Sequence, residues 1–418
     1  MNTQTLNTQN LNNSSQNFHA DNNELDMSRY PARARFILKL LNKLQHGALH
    51  LELPDGKSAH FGDGSYPVTL RLHNWSLCDA VIKSGDIGFA ETFIDGSWTT
   101  DNLTGLIELF IRNRQAVESL IYGKWWGNLL YRVRHLFNRN SRSGSRKNIH
   151  AHYDIGNDFY RLWLDPTMTY SSALFSNGHA DSLQDGQLAK YRRILKELEV
   201  EAGARVLEIG CGWGGFAEIA TKEGGVKVSG LTLSTEQLQF AQQRLQQGGI
   251  AAQADLMLMD YRDINDKFDA IASIEMFEAV GEAYWPSYFE CVARNLKAGG
   301  RACIQTITIA DELFERYRTG TDFIQQYIFP GGMLPSAQVF RAQADKQGLR
   351  VVNELSFGLD YARTLAEWRD AFKEKLPQVQ ALGFDDKFLR TWEFYFGYCE
   401  AGFRADSISV MQFTLEKA

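Results

Sequence analysis

The sequence predicts an α/β fold: a doubly wound sheet with helical additions over 149–418, preceded by a small α+β domain over 29–121. Three observations carry this reading. From about Asn148 onward, short β-branched runs alternate with helix-length segments, the pattern of βαβ units and parallel strands. The first such run, Val206-Leu-Glu-Ile209, ends on a glycine cluster, as a strand does when it must turn at once into a helix. Ahead of this part, Leu49-His-Leu-Glu-Leu53 and Val68-Thr-Leu-Arg-Leu72 alternate apolar and polar residues around a Pro54-Asp-Gly turn, the period of half-buried strands.

Residues 1–28 are dominated by Asn, Gln, Ser and Thr and are read as a disordered tail. A helix-like start with Phe36, Ile37, Leu40, Leu41 and Leu44 opens the small domain, and Leu103 to Ile111 reads as a later helix. No catalytic cluster lies there. A linker over 122–148 interleaves Lys124, Trp125, Trp126, Tyr131, Arg132, Arg134 and Arg142. Such a mixture suits a membrane interface, where rings sit at headgroup depth and cations meet lipid phosphates. It suits equally a connector whose rings pack on a neighbouring domain. Beyond it, Gly215 begins a helix, Val226–Leu231 is a strand, Thr235–Gln246 a helix, and Asp269–Ser273 and Ala302–Ile307 further strands. A sheet of this kind binds ligands at the carboxyl ends of its strands.

Bulk properties narrow the function. A length of 418 residues is long for a single core. A net charge of −6 gives no global field for nucleic acid or an anionic membrane. Cys78, Cys211, Cys291, Cys303 and Cys399 lack CxxC spacing, which argues against zinc and a disulfide framework and suits a reducing cytoplasm. Neither a secretory leader nor an apolar run of about 18 residues is read in the sequence. A lipid enzyme so built would work in the cytoplasm as a peripheral protein on the inner face of the membrane.

The strongest motif is Val206-Leu-Glu-Ile-Gly-Cys-Gly-Trp-Gly-Gly-Phe216. Gly210, Gly212 and Gly214 let the backbone turn tightly and approach a ligand. Gly210, Gly212 and Gly215 also spell GxGxxG, but a dinucleotide fold expects an acid at the end of the second strand. That position reads Gly230-Leu-Thr-Leu-Ser234. Asp260-Tyr-Arg262 and then Phe268-Asp-Ala-Ile-Ala-Ser-Ile274 follow instead, which looks like a class I methyltransferase, a Rossmann-like fold.

An ordered series of segments sharpens this. It comprises His152-Tyr-Asp-Ile-Gly-Asn157, Tyr170-Ser-Ser-Ala173, Leu207 to Gly215, Met276-Phe-Glu-Ala-Val-Gly281, Tyr327-Ile-Phe-Pro-Gly331, Phe357-Gly-Leu-Asp-Tyr361 and Ala401-Gly-Phe-Arg404. With these the chain resembles the cyclopropane fatty acid synthase family, which includes mycolic acid cyclopropane synthases and related lipid methyltransferases. The resemblance implies S-adenosylmethionine as cofactor, with Tyr153, Tyr170 and Ser171 near its methionine end. It further implies Gly210, Gly212 and Gly214 as the loop, Thr232 and Gln237 by the ribose, and Tyr261 and Arg262 flanking the adenine. Taken singly, each tyrosine reads as readily as a core residue, and Gln237 as an exposed helix residue. The N-terminal domain resembles the lipid-contacting domain of the bacterial phospholipid enzymes. The implied partners are phospholipid acyl chains at the membrane surface, and a homodimer would present paired contacts to that surface.

The implied reaction transfers a methylene or methyl unit to an acyl-chain double bond and forms a cyclopropane. The alternatives are C-methylation without ring closure and a catalytically inactive lipid-binding protein. The family holds a bicarbonate ion as proton acceptor. Position by position, its ligands correspond to Ser172 (for Cys), Glu278, Gln305 (for His), the Ile307 amide and Tyr361. Ala279 stands where many members have His, and Glu275 where many have Gly. Ser and Gln still donate hydrogen bonds, yet neither is a base near neutral pH. The acceptor is therefore Glu278, Glu275, or an ion oriented by them.

Overall fold

The computed structural model describes residues 26–64, 67–121 and 155–417. Residues 1–25 of the expected tail, the aromatic-basic linker and Tyr153 lie outside the described residues.

Two sheets organise the chain. The N-terminal sheet has the order β2-β1-β3-β4, from β1 (Ala48–Glu52), β2 (Ser58–Gly62), β3 (Val68–Leu72) and β4 (Trp98–Thr100). β1 and β2 form a hairpin across the Pro54 turn, with Leu51 opposite Ala59 and Leu49 opposite Phe61. β2 escapes a pattern reading because only Ala59 and Phe61 face inward, between exposed Ser58, His60 and Gly62. The helices Ala32–Leu41, Ser76–Ser84, Asp86–Ile94, Leu103–Arg112 and Arg114–Ile121 complete this part.

The second sheet has seven strands in the order β10-β11-β9-β8-β5-β6-β7. These are β5 (Arg205–Ile209), β6 (Lys227–Thr232), β7 (Ala254–Leu258), β8 (Phe268–Ile274), β9 (Leu296–Ile309), β10 (Leu349–Ser356) and β11 (Ile408–Lys417). β9-β8-β5-β6-β7 are mutually parallel, as the alternation of strands and helices predicts. The sheet is nevertheless mixed, because β11 runs antiparallel between β9 and β10. The reason is local. After the helix Asp386–Arg404 the chain reverses through Asp406, at φ +54°, and returns without the crossover that a parallel strand requires. Strand order reverses direction at β5, which pairs with β6 on one side and β8 on the other. The crevice beyond the carboxyl ends of β5 and β8 is thus the place for a ligand.

The N-terminal elements and the C-terminal helices share one hydrophobic core. It joins Leu49, Leu70, Trp98 and Leu106 to Trp368, Trp392, Phe394 and Phe396. Phe93 lies 5.8 Å and Phe89 6.0 Å from the Phe394 ring. Such ring pairs are each worth about 0.5–1.5 kcal/mol beyond simple burial. A polar clasp crosses the same boundary. The Glu400 side chain is 0% exposed, accepts from Thr104 Oγ1 at 2.9 Å, and pairs with Arg369 and Arg404. No helix among the described residues is long and apolar enough to cross a membrane.

Candidate active site

At the end of β5 the backbone folds back on β6. The Gly210 and Cys211 amides both donate to the Leu231 carbonyl, at 3.0 and 2.8 Å. Gly212 and Gly214 carry φ values of +49° and +79°, in the left-handed region, before the helix Gly215–Gly224 begins. Ile209 packs in the sheet core, while Glu208, 2% exposed, reaches the crevice wall. Its Oε2 has no hydrogen-bond partner, and burial pushes its carboxyl up to about 8.

At the end of β6, Ser234 caps the helix Thr235–Gln247 by accepting from the Gln237 amide. That cap turns Gln237 inward, where Thr232 Oγ1 donates to its Oε1 at 3.1 Å. Both are 6% exposed, so Gln237 is not a solvent-facing helix residue. After β7, Asp260 accepts from the Arg262 amide and from its Nε at 3.0 and 2.8 Å. The guanidinium is thereby fixed between the Tyr261 and Tyr284 rings, 5.6 and 5.7 Å from their centroids. Tyr170 donates to Tyr395 at 2.8 Å and packs against Tyr160, Trp163 and Trp368. Ser171 Oγ sits 2.5 Å from the buried ammonium of Lys190, which also donates to Gln187 Oε1 at 2.6 Å. Burial lowers the Lys190 pKa to about 7, against the pull of Glu275 and Asp165. Trp213, in the glycine loop, donates to Asn157 at 2.7 Å and so ties that motif to the site.

Tyr170, Ser171, Glu208, Thr232, Gln237 and Arg262 line one cavity of about 530 Å³, with Lys190 packed behind Ser171. Its lining includes buried leucines of the N-terminal part (Leu38, Leu41, Leu51, Leu70 and Leu72) as well as the glycine turn, Glu275 and Glu278. Its size is in the usual range of small-molecule sites.

The carboxylates are arranged differently from an ion site. Glu275 follows β8 at φ +49°. Its Oε1 accepts from the Ser172 amide at 2.8 Å and from Gln305 Nε2 at 2.7 Å, and its Oε2 accepts from the Tyr361 hydroxyl at 2.7 Å. Gln305 is oriented in turn by Gln412, whose Nε2 donates to its Oε1 at 2.9 Å and whose own Oε1 accepts from Arg193. The Ser172 hydroxyl is turned away, donating to the Ala173 carbonyl at 2.8 Å. The Ile307 amide donates to Glu278 Oε1, while Glu278 Oε2 has no partner. Ser172, Gln305 and Tyr361, implied as bicarbonate ligands, therefore hold the Glu275 side chain, and the fourth donor holds Glu278. This donor set does not fit a bicarbonate ion. Burial raises the Glu278 carboxyl to about 8, and the neighbouring charge of Glu275 raises it further against the Ile307 amide. Burial also raises Glu275, opposed by Lys190 and then by its three donors.

The same crevice fits S-adenosylmethionine better. A methyl added at Gly212 would meet no protein atom within 4 Å, so the backbone there is open to close approach. The unpartnered Glu208 oxygen and the paired Thr232 and Gln237 line that side. Sequence reasoning passed over Glu208 and Lys190 as site residues. A lone acid inside the apolar run Val206–Ile209 was a signal for the first, but a lysine on the helix Leu183–Leu198 reads as a surface charge.

Comparison with known proteins identifies the family. The family described as mycolic acid cyclopropane synthetase matches residues 140–413. The chain is 35% identical over 394 residues to tuberculostearic acid methyltransferase UfaA1 of Mycobacterium tuberculosis, covering 92% of this chain and 91% of that one. It is 34% identical over 351 residues to the cyclopropane-fatty-acyl-phospholipid synthase of Escherichia coli, covering 84% and 88%. The solved structure of mycolic acid cyclopropane synthase CmaA1, complexed with SAH and CTAB, superposes with a TM-score of 0.61 at 33% identity, over 65% of this chain and 98% of that one. With a methyltransferase sheet, a glycine turn at its switch point and these relatives, the chain belongs to the mycolic acid cyclopropane synthetase family of S-adenosylmethionine-dependent methyltransferases.

Proposed function

We propose that the protein adds the methyl carbon of S-adenosylmethionine to a double bond in a membrane phospholipid's acyl chain and closes a cyclopropane ring. The observation that carries this is one cavity whose lining runs from leucines of the N-terminal part to the glycine turn and two carboxylates. When bound, S-adenosylmethionine supplies an electrophilic methyl group. In this reading Tyr170 and Ser171 serve its methionine end, Gly210, Gly212 and Gly214 the loop, Thr232 and Gln237 the ribose, and Tyr261 and Arg262 the adenine; the family resemblance assigns Tyr153 to the methionine end as well.

An isolated alkene is a weak nucleophile, so the chain must be aligned closely and away from water. The apolar walls provide that exclusion. The Tyr170, Tyr361 and Phe403 rings line the cavity, and aromatic rings there stabilise a cation on the acyl chain without capturing it. A carboxylate then takes the proton whose loss closes the ring. Phospholipid is the preferred substrate because burial is worth about 0.8 kcal/mol per CH₂, which confines diacyl lipids to bilayers. The N-terminal domain is the lipid-contacting part, and the protein acts at the inner membrane surface, where a homodimer would dock through paired contacts.

Methyl transfer without ring closure is the second reading, favoured by the methyltransferase named among the relatives. The test is expression in a host whose lipids carry cis-monounsaturated chains, followed by mass spectrometry. Acyl chains gain the mass of one CH₂, and fragmentation locates a ring. A branch in place of the ring selects the second reading. No mass gain from a protein that binds S-adenosylmethionine refutes both.

A further inference from the structure

We propose that Glu275 is a built-in proton acceptor, standing where an external anion would otherwise sit, so that turnover does not depend on dissolved bicarbonate. The inference rests on the transfer reading above and deepens it.

The backbone gives the first reason. A residue with a Cβ at φ +49° carries a penalty of roughly 1–2 kcal/mol that glycine avoids. Such strain persists where surrounding structure holds it, and it gathers at functional sites. Here the Glu275 amide donates to the Gln305 carbonyl at 2.8 Å, and the side chain is held at both oxygens.

The second reason is electrostatic preorganisation. The three donors come from separate parts of the fold: the loop at Ser172, β9 at Gln305, and the helix Gly358–Glu374 at Tyr361. The relay Arg193–Gln412–Gln305 points a cation's polarisation toward the same carboxylate. Lys190 adds a positive charge to the cluster. Glu278 is held by the Ile307 amide with Thr306 contributing, keeps one unpartnered oxygen, and lies beside the Glu275 charge. Two carboxyls in environments this unequal divide the roles: Glu275 carries the negative charge and Glu278 keeps its proton near neutral pH.

The step balances without a further reactant. The alkene π pair forms a carbon–carbon bond to the sulfonium methyl, and the carbon–sulfur pair leaves with sulfur. The other alkene carbon becomes a cation. Glu275 takes one proton from the added methyl, and the freed C–H pair closes the third ring bond. One positive charge is lost at sulfur, and one negative charge is neutralised on Glu275.

The experiment compares purified wild type, Glu275→Gly and Glu275→Gln, with unsaturated phospholipid vesicles and S-adenosylmethionine, in carbonate-depleted buffer and after adding bicarbonate. Wild type runs at the same rate in both. Glu275→Gly relieves the left-handed strain and leaves the three donors around a space. It loses about 10²-fold or more in depleted buffer and recovers in part with bicarbonate. Glu275→Gln fills the space with a neutral amide, so it is as slow as the glycine variant and is not rescued. A purely structural role for Glu275 predicts no difference in rescue between the two variants, and that result overturns the proposal. So does wild-type turnover that collapses on depletion and returns with bicarbonate. A wild type that transfers no methyl group under either condition refutes the transfer reading itself, a result distinct from both.

Discussion

Replacing Gly212 and Gly214 by alanine, one at a time, separates binding from folding in the glycine turn. At Gly212 an added methyl meets no protein atom within 4 Å, so the protein bears only the left-handed conformation at φ +49°, roughly 1–2 kcal/mol. At Gly214, φ +79°, the methyl meets Ala241 Cβ at 3.0 Å and its Cα at 3.4 Å. That neighbour belongs to the helix Thr235–Gln247 and cannot swing aside, so overpacking adds about 1–3 kcal/mol. Gly214→Ala is therefore the less stable variant by calorimetry. Gly212→Ala keeps most of its stability but puts a methyl into the space proposed for the cofactor. Each 1.4 kcal/mol of lost contact is about tenfold in affinity, and we expect a loss of about 10–100-fold for S-adenosylhomocysteine by titration calorimetry. Wild-type affinity in Gly212→Ala would refute the assignment of this turn to the cofactor.

Glu208 makes stability depend on pH. Its folded carboxyl holds a proton to about pH 8, whereas the unfolded one releases it near 4.5, so its contribution is complete below about 4.5 and is lost as pH rises through about 8. Glu208→Gln removes this loss, at up to about 1.4 kcal/mol per pH unit, and melting curves of the two proteins should diverge across that window. Parallel curves would contradict the burial argument. At the domain boundary, Glu400→Ala leaves Arg369 and Thr104 without their buried partner and should lower unfolding stability by about 3–5 kcal/mol in urea.

Backbone-driven features were legible in the sequence and long-range ones were not. The glycine turn declares itself because positive φ values at consecutive alternate positions select glycine. Val68–Leu72 follows from its alternation, and the helix Thr235–Gln247 from its place between strands. β11 was hidden because Val410 to Leu415 is buried on both faces, including Gln412 and Thr414, so no alternation marks it. The partners of Glu275 lie 103, 30 and 86 positions away at Ser172, Gln305 and Tyr361. Each looked like a ligand for an outside anion, and only the folded chain shows a side chain already among them.

The core shared by the N-terminal sheet and the helix Asp386–Arg404 has a consequence for how a substrate is retained. The wall that would grip an acyl tail is made of the same leucines and rings that stabilise the native state. A mutation that loosens this seam therefore weakens retention and folding together. Removing the N-terminal sheet and its helices would strip one side of the cavity and bare the aromatic flank of that helix to water.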